Sequence, residues 1–161
     1  TKLELEHIEL SISSLMPALR NALQYLKAMQ NATRDGLTGV GNRIALEFQN
    51  RLVDLALPIE HEIQVFNIVR EALTNIARHS GATHARLFVD ATAGYYVFTV
   101  KDNGVGAYTF ARVEGHYGML IMRERARRIG GEIRAESARG LGTRVQLFFL
   151  EPESDWRATS E

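Results

Sequence analysis

The chain has 161 residues, with 19 basic and 19 acidic side chains, 45% hydrophobic residues and no cysteine. This length suits one domain with a short extension, and the composition excludes a long disordered chain. A net charge of zero excludes the broad basic surface of most nucleic-acid-binding proteins, and the lack of cysteine excludes disulfides and thiolate zinc sites. The longest apolar runs are only as long as strands, so we expect no membrane contact by this fragment.

Residues 1–33 are predicted to be a helical segment for dimerisation or signal transmission. From Leu5 to Met29, apolar residues recur at alternating steps of three and four, which places them on one stripe of a helix. A narrow stripe of this spacing is typical of a contact between two helices, so it favours a homodimer. Pro17 is compatible either with a kink in one long helix or with the first turn of a second helix.

Residues 34–50 are predicted to be a linker followed by a short helix from about Arg43 to Asn50. The linker contains three glycines, Gly36, Gly39 and Gly41, flanked by the turn residues Asp35 and Asn42, and this composition is typical of turns.

The sequence from residue 51 to residue 152 predicts a two-layer α/β sandwich, followed by a tail at 153–161. Strands and amphipathic helices alternate here, as in other domains of this class. The expected elements are a strand at 52–57, a long helix at 59–79, a hairpin of strands at 83–90 and 95–101, a helix at 117–129, and strands at 132–136 and 143–150.

One face of the long predicted helix carries polar side chains with distinct chemistry. These are Asn67, Glu71, Asn75 and Arg78, which lie within about 80° of one another at 100° per residue. A carboxylate can act as a general base, an amide oxygen can bind a hard cation, and a guanidinium can bind phosphate, and phosphoryl transfer uses all three. A merely hydrated helix face is the competing interpretation.

Three glycine-containing turns follow this helix. Asp102 comes directly after an apolar strand and can accept a hydrogen bond from an exocyclic amine, while Gly104 and Gly106 let the backbone approach a flat ring or phosphates. The run Gly115–Gly118 opens a helix whose free N–H groups favour a phosphate. The run Gly140–Thr143 leads into the last strand.

Together and in this order, these elements resemble the ATP-binding boxes of the histidine-kinase ATPase superfamily, which also includes type II topoisomerases, heat-shock-90 chaperones and mismatch-repair ATPases. Residues 70–80 resemble its N box, residues 102–106 its first glycine box and residues 115–125 its second. The resemblance is closest to histidine kinases of the nitrate/nitrite-sensor type, and the run 116–126 is the most specific part of it.

The resemblance implies a role for each of these residues. Glu71 would be the general base that prepares the acceptor imidazole, Asn75 would bind Mg²⁺, and Asp102 would accept the adenine amine. Residues 107–116 would form the ATP lid. The other implied nucleotide-binding residues are Arg78, His79, Tyr117 and Gly118 near the phosphates, Gly104 and Gly106 at the base, and Gly142 with Thr143, of which Thr143 would support Asp102.

The function implied is that of the catalytic domain of a two-component sensor histidine kinase, which transfers the γ-phosphoryl group of ATP, with Mg²⁺, to a histidine. The implied partners are a phosphoacceptor histidine domain and a response regulator. The implied location is the cytoplasm, as part of a protein that in this family can be a membrane sensor. An anti-sigma-type serine kinase and an ATP-binding regulatory module without transfer activity share the same boxes and stay open as alternatives.

Two features of the first fifty residues depart from a complete kinase. His7 is followed by Ile8 and not by an acidic or amide residue, so we expect the phosphoacceptor histidine to lie elsewhere. Residues 26–46 resemble the opening of diguanylate cyclase domains, as either a degenerate signalling joint or a boundary between fused modules. Cyclase activity is not expected, because Gly130 and Gly131 are not followed by the two acidic residues and phenylalanine of the cyclase turn.

Overall fold

The computed structural model describes residues 44–52, 55–106 and 117–153, together with Gln24, which is helical and exposed. The elements in chain order are β1 at Ala45–Asn50, α1 at Ile59–Asn75 with a π-helical turn at Ile76–Ser80, β2 at His84–Thr92, β3 at Tyr95–Asp102, α2 at Tyr117–Arg128, β4 at Glu132–Ala138 and β5 at Gly142–Leu150. The predicted lid at 107–116, the acceptor candidate His7, and the predicted helical segment apart from Gln24 lie outside the described residues.

The strands form one mixed sheet in the order β1-β2-β3-β5-β4, and two helices pack on one of its faces. Only β1 and β2 are parallel among the described pairs; the others are antiparallel. Alternate strand residues point into the core because side chains along a strand alternate between faces. The most deeply buried side chains are Leu87, Val89, Phe98, Leu147 and Phe149 from the sheet, and Val65, Val69 and Met122 from the helices. The predicted two-layer α/β sandwich is confirmed.

The β2–β3 hairpin follows its turn residues closely. Ala93 and Gly94 link the two strands with φ values of 50° and 79°. A two-residue turn with positive φ at both positions matches the twist of the strands, and glycine takes this conformation without steric cost. The hairpin that the sequence predicted around these residues is therefore confirmed.

The helix predicted from about Arg43 to Asn50 is wrong in its described part, because residues 45–50 form β1. Alanine, leucine, glutamate and glutamine all favour helices locally. However, the whole segment pairs with β2, from Ala45 opposite His84 to Asn50 opposite Val89, and Phe48 is buried in the core. Strand pairing and burial outweigh local preferences of this size.

The strand predicted at 52–57 is also wrong in its described residues, Leu52 and 55–57, which have no strand conformation. Leu55 and Leu57 are buried, so the alternation of apolar residues that suggested a strand does reflect burial. The segment is an irregular connection that covers the core before α1, since β1 already occupies the position beside β2.

The two helices lie antiparallel. Near the start of α1, Arg125 Nη1 of α2 donates a hydrogen bond to Gln64 Oε1 at 3.3 Å, and near the end of α1 the first turn of α2 lies against Glu71. The His61 ring lies 5.5 Å from that of Phe149, and burial lowers the pKa of His61, with Glu60 opposing the shift. At the start of α1 the His61 ring therefore packs against the sheet while Ile59 and Ile63 stay exposed, and the polar face around Glu71 is directed toward α2.

Candidate functional site

The polar face of α1 meets the first turn of α2 at Gly118. Glu71 and Asn75 lie one helical turn apart on α1 and are both half-buried. A Cβ atom added to Gly118 would lie 2.6 Å from Glu71 Oε1 and 3.4 Å from Asn75 Nδ2. The start of a helix presents backbone N–H groups that have no partner within the helix. The fold therefore brings a carboxylate, a carboxamide and a helix N-terminus together.

After Asn75 the helix widens into the π-helical turn, which carries Arg78 and His79. Ser80 fastens this turn, because its hydroxyl donates to Ile76 O at 2.7 Å and accepts from Ala82 N at 3.0 Å. π-Helical turns are rare in proteins, and those that do occur are often found at functional sites. Arg78 and His79 are exposed, and neither side chain makes a hydrogen bond or ion pair with another described residue. Both are therefore placed at the same end of α1 as Asn75 and accessible to a ligand.

The glycine loop, defined here as residues 102–106, starts from a buried carboxylate. Asp102 is only 3% exposed at the end of β3, and its Oδ1 accepts a hydrogen bond from Gly104 N at 2.7 Å. A Cβ atom on Gly104 would lie 2.8 Å from this oxygen and from Ser80 Cβ, and closer still to Ser80 O. Only glycine fits at this position, which lets the loop lie directly against the π-helical turn.

The β4–β5 turn holds the glycine loop from the other side. Gly140 N donates to Val105 O at 2.8 Å. Gly106 and Gly142 both have positive φ, at 69° and 77°, and a Cβ atom on either would overlap backbone carbonyl oxygens, of Ala138 in the first case and of Asp102 in the second. The turn at 140–143 therefore contacts the glycine loop through backbone atoms.

Thr143 lies beside this contact. Its hydroxyl oxygen is 2.9 Å from that of Ser137 across the β4–β5 pair. The structure thus gives Thr143 a partner on β4, and its predicted support of Asp102 stays a prediction. Tyr117, the first residue of α2, is 68% exposed. The predicted residues thus lie in four places: the end of α1, the end of β3, the β4–β5 turn and the start of α2.

Two residues that sequence reasoning gave no role complete the framework. The carbonyl of Ser80 accepts from Val105 N at 2.8 Å. Asn103 Oδ1 accepts from Thr83 N and His84 N, at 3.0 and 2.9 Å. Both lie inside quoted motifs, but their partners are about twenty residues away, so no local pattern marks them.

The described residues also form a cavity away from the predicted site. A cavity of about 330 Å³ lies on the sheet face away from the helices, between residues such as Arg51, Phe88 and Phe148, and it includes none of the predicted site residues. Within 44–52, 55–106 and 117–153 no group of three acidic or histidine side chains is placed to hold a metal. No helix in these ranges has both the length and the apolar character needed to cross a bilayer.

Comparison with known proteins gives the family. Residues 60–153 match the family described as histidine kinase-, DNA gyrase B- and HSP90-like ATPases. The chain is 34% identical over 147 residues to the nitrate/nitrite sensor protein NarQ of Escherichia coli (strain K12), which covers 89% of this chain and 26% of NarQ. It is 27% identical over 139 residues to the sensor protein VraS of Staphylococcus aureus (strain COL), covering 86% of this chain and 40% of VraS. The chain thus spans less than half the length of these relatives.

Solved structures agree with this placement. The histidine kinase domain of the blue-light activated histidine kinase EL346 from Erythrobacter litoralis has a TM-score of 0.58 at 26% identity, over 80% of this chain and 60% of that one. The Acinetobacter baumannii histidine kinase AdeS has a TM-score of 0.64 at 10% identity, over 83% of this chain and 62% of that one, and this likeness concerns the fold alone. This chain therefore belongs to the family of histidine kinase-, DNA gyrase B- and HSP90-like ATPases.

Proposed function

We propose that this domain binds ATP with Mg²⁺ and transfers the γ-phosphoryl group to a histidine of an acceptor domain, for relay to a response regulator. The observation that carries the proposal is the contact of Glu71 and Asn75 with Gly118 at the start of α2. This contact brings a carboxylate, a carboxamide and the start of a helix within a few ångströms of one another, which supports their roles as base, cation ligand and phosphate-binding group.

Asp102 is proposed to recognise the adenine ring. Its Oδ1 is used by Gly104 N, which leaves Oδ2 to accept the exocyclic amine. The carboxylate is nearly inaccessible to solvent, and a hydrogen bond to a charged group in such surroundings is stronger than one in water. Gly104 and Gly106 would line the base pocket, since neither has a side chain to block a flat ring.

The phosphates are proposed to lie between the start of α2 and the π-helical turn. Backbone N–H groups at Tyr117 and Gly118 favour an anion, and Arg78 and His79 add accessible cationic or hydrogen-bonding groups. Mg²⁺ usually binds through one or two protein ligands together with phosphates and water. A single amide oxygen, that of Asn75, fits this donor set, and the ion would supply charge neutralisation of the phosphates.

Glu71 is proposed to act on the acceptor histidine. One imidazole nitrogen forms a bond to the γ-phosphorus as the bond from this phosphorus to the bridging oxygen of ADP breaks. The carboxylate of Glu71 accepts the imidazole proton, so the neutral phosphohistidine can form. Glu71 lies beside Asn75, so base and cation ligand come from one rigid helix.

The test of the function is incubation of the chain with γ-labelled ATP, Mg²⁺ and a candidate acceptor domain. We expect label on the acceptor that is stable in base and lost in acid, as for phosphohistidine. Acid-stable phosphoserine on a partner would show a serine kinase instead. Nucleotide binding without any transfer to the acceptor would show a regulatory module.

Substitution of Gly118 by alanine is expected to weaken ATP binding about tenfold. In an exposed helix this change normally adds up to about 1 kcal/mol of stability. Here the new methyl group would press on Glu71 Oε1, so the start of α2 or the carboxylate must move. Calorimetric titration with ATP measures the effect, with Arg123→Ala on the exposed side of α2 as the control. An affinity equal to that of the unmodified chain would contradict the proposed closeness of phosphates to Gly118.

Residues 1–33 are proposed to form a homodimer through their apolar stripe. We expect removal of residues 1–36 to convert a dimer into a monomer, because the stripe supplies the contact. Light scattering measures this, and a monomer with and without the segment would contradict it.

The domain is proposed to act in the cytoplasm, where cell fractionation would find it.

A further inference from the structure

Asn103 fastens the glycine loop to the start of β2. Its Oδ1 accepts from the backbone N–H groups of Thr83 and His84, and its Nδ2 donates to Thr83 Oγ1 at 2.9 Å. Its own backbone N–H donates to His84 O at 3.2 Å. Four hydrogen bonds therefore hold one exposed residue of a loop to a neighbouring strand.

The neighbouring residue is the one proposed to read adenine. Asp102 ends β3, and the loop turns sharply there so that Gly104 N can reach Asp102 Oδ1. Hydrogen bonds weaken steeply when they are misaligned. A carboxylate at the end of a strand therefore depends on the loop that follows it for its direction, and Asn103 is the first residue of that loop.

The other contacts of the loop do not replace this one. Ser80 O and the β4–β5 turn hold Val105 through its backbone, three residues beyond Asp102, and the close approaches at Gly104 and Gly106 limit space without adding a side-chain bond. Among the described residues, Asn103 supplies the side-chain hydrogen bonds that tie the loop to β2. Without them the loop is held to β2 by backbone pairing alone, through Asn103 N to His84 O and the register of Asp102 with Ala85.

We infer that Asn103 is a positioning residue that sets the preference for adenine by fixing the direction of the Asp102 carboxylate. The inference rests on the proposed function, because it assumes that Asp102 accepts the adenine amine. Asn103 itself touches no nucleotide in this scheme. Its effect is therefore expected on discrimination between bases and not on the chemistry of transfer.

The test compares ATP with purine riboside triphosphate, in which a hydrogen atom replaces the exocyclic amine. We expect Asn103→Ala to lower the affinity for ATP about tenfold and to leave that for the analogue within about twofold, since one well-aligned hydrogen bond to a charged group is lost. A purely structural defect would lower both affinities equally and keep their ratio. An unchanged ratio in folded Asn103→Ala protein would overturn the inference.

Two further variants sharpen the result. Asn103→Asp keeps the oxygen that accepts from Thr83 N and His84 N, so the ratio should stay within about twofold of its original value, and a loss as large as that of the alanine variant would contradict the role. Thr83→Val removes the hydroxyl that accepts from Nδ2 and that also lies 2.8 Å from His84 Nδ1, and it keeps both bonds to Asn103 Oδ1. It should lower the ratio of ATP affinity to analogue affinity about twofold. If Asn103→Ala does not fold, Thr83→Val serves as the test, and an unchanged ratio would then overturn the inference.

Asp102→Ala separates this inference from the proposed function. If this variant keeps the preference for ATP over the analogue, the assignment of Asp102 to adenine fails, and the role of Asn103 fails with it. If Asp102→Ala abolishes the preference while Asn103→Ala retains it, only the positioning role is overturned.

Discussion

Asp102→Ala is expected to weaken ATP binding by about a hundredfold. The variant loses a hydrogen bond to a charged acceptor, worth about 1.5–3 kcal/mol, and it also leaves Gly104 N without its acceptor. Because a factor of ten in affinity corresponds to about 1.4 kcal/mol, the first loss alone accounts for most of the effect. Calorimetric titration with ATP and Mg²⁺ measures it directly.

The matched control for this change is Asp90→Ala. Asp90 lies on β2 and pairs with Arg51 at 3.2 Å, on the sheet face away from the helices. This variant should bind ATP as the unmodified chain does. If both aspartate variants bind ATP equally well, the adenine site does not lie at Asp102.

Glu71→Gln is expected to leave ATP affinity within about threefold and to slow phosphoryl transfer by about a hundredfold or more. The amide has the shape of the carboxylate, so the packing against Gly118 is kept, but it cannot accept the imidazole proton. Loss of general-base catalysis typically costs about 10²–10⁴ in rate. Initial rates of label transfer to the acceptor domain, together with the affinity, give the two quantities.

Glu124→Gln is the control for Glu71. Glu124 is exposed on α2 and pairs with Arg127 at 3.5 Å. The control should transfer phosphate at the unmodified rate. Transfer by Glu71→Gln at that same rate would remove Glu71 as the base, whereas a large loss of ATP affinity would show that it contributes chiefly to nucleotide binding.

Much of the fold could be predicted from local patterns. The polar face of α1, with Glu71 opposite Leu73, follows from helical periodicity. The β2–β3 hairpin follows from the apolar, strand-forming runs on either side of Gly94. The site residues came from the order and spacing of four motifs. Each motif lies at the end of a helix or strand, and the fold places these ends beside one another.

What could not be predicted depends on partners far away in the sequence. β1 has the local composition of a helix, and only its pairing with β2, about forty residues later, makes it a strand. The same holds for Asn103, whose side chain bonds Thr83 and His84. The π-helical turn after Asn75 also has a distant partner, since Ser80 O accepts from Val105 N.

The parallel direction of β1 decides where the chain before it is attached. Its first residue lies beside the first residue of β2, and Ala45 N donates to Thr83 O at 2.8 Å. Thr83 is also bound by Asn103, so the attachment point of the preceding segment and the anchor of the glycine loop share one residue. A displacement of that segment would therefore pull first on the end of the sheet that carries Asp102, and last on the opposite end, at the β2–β3 turn.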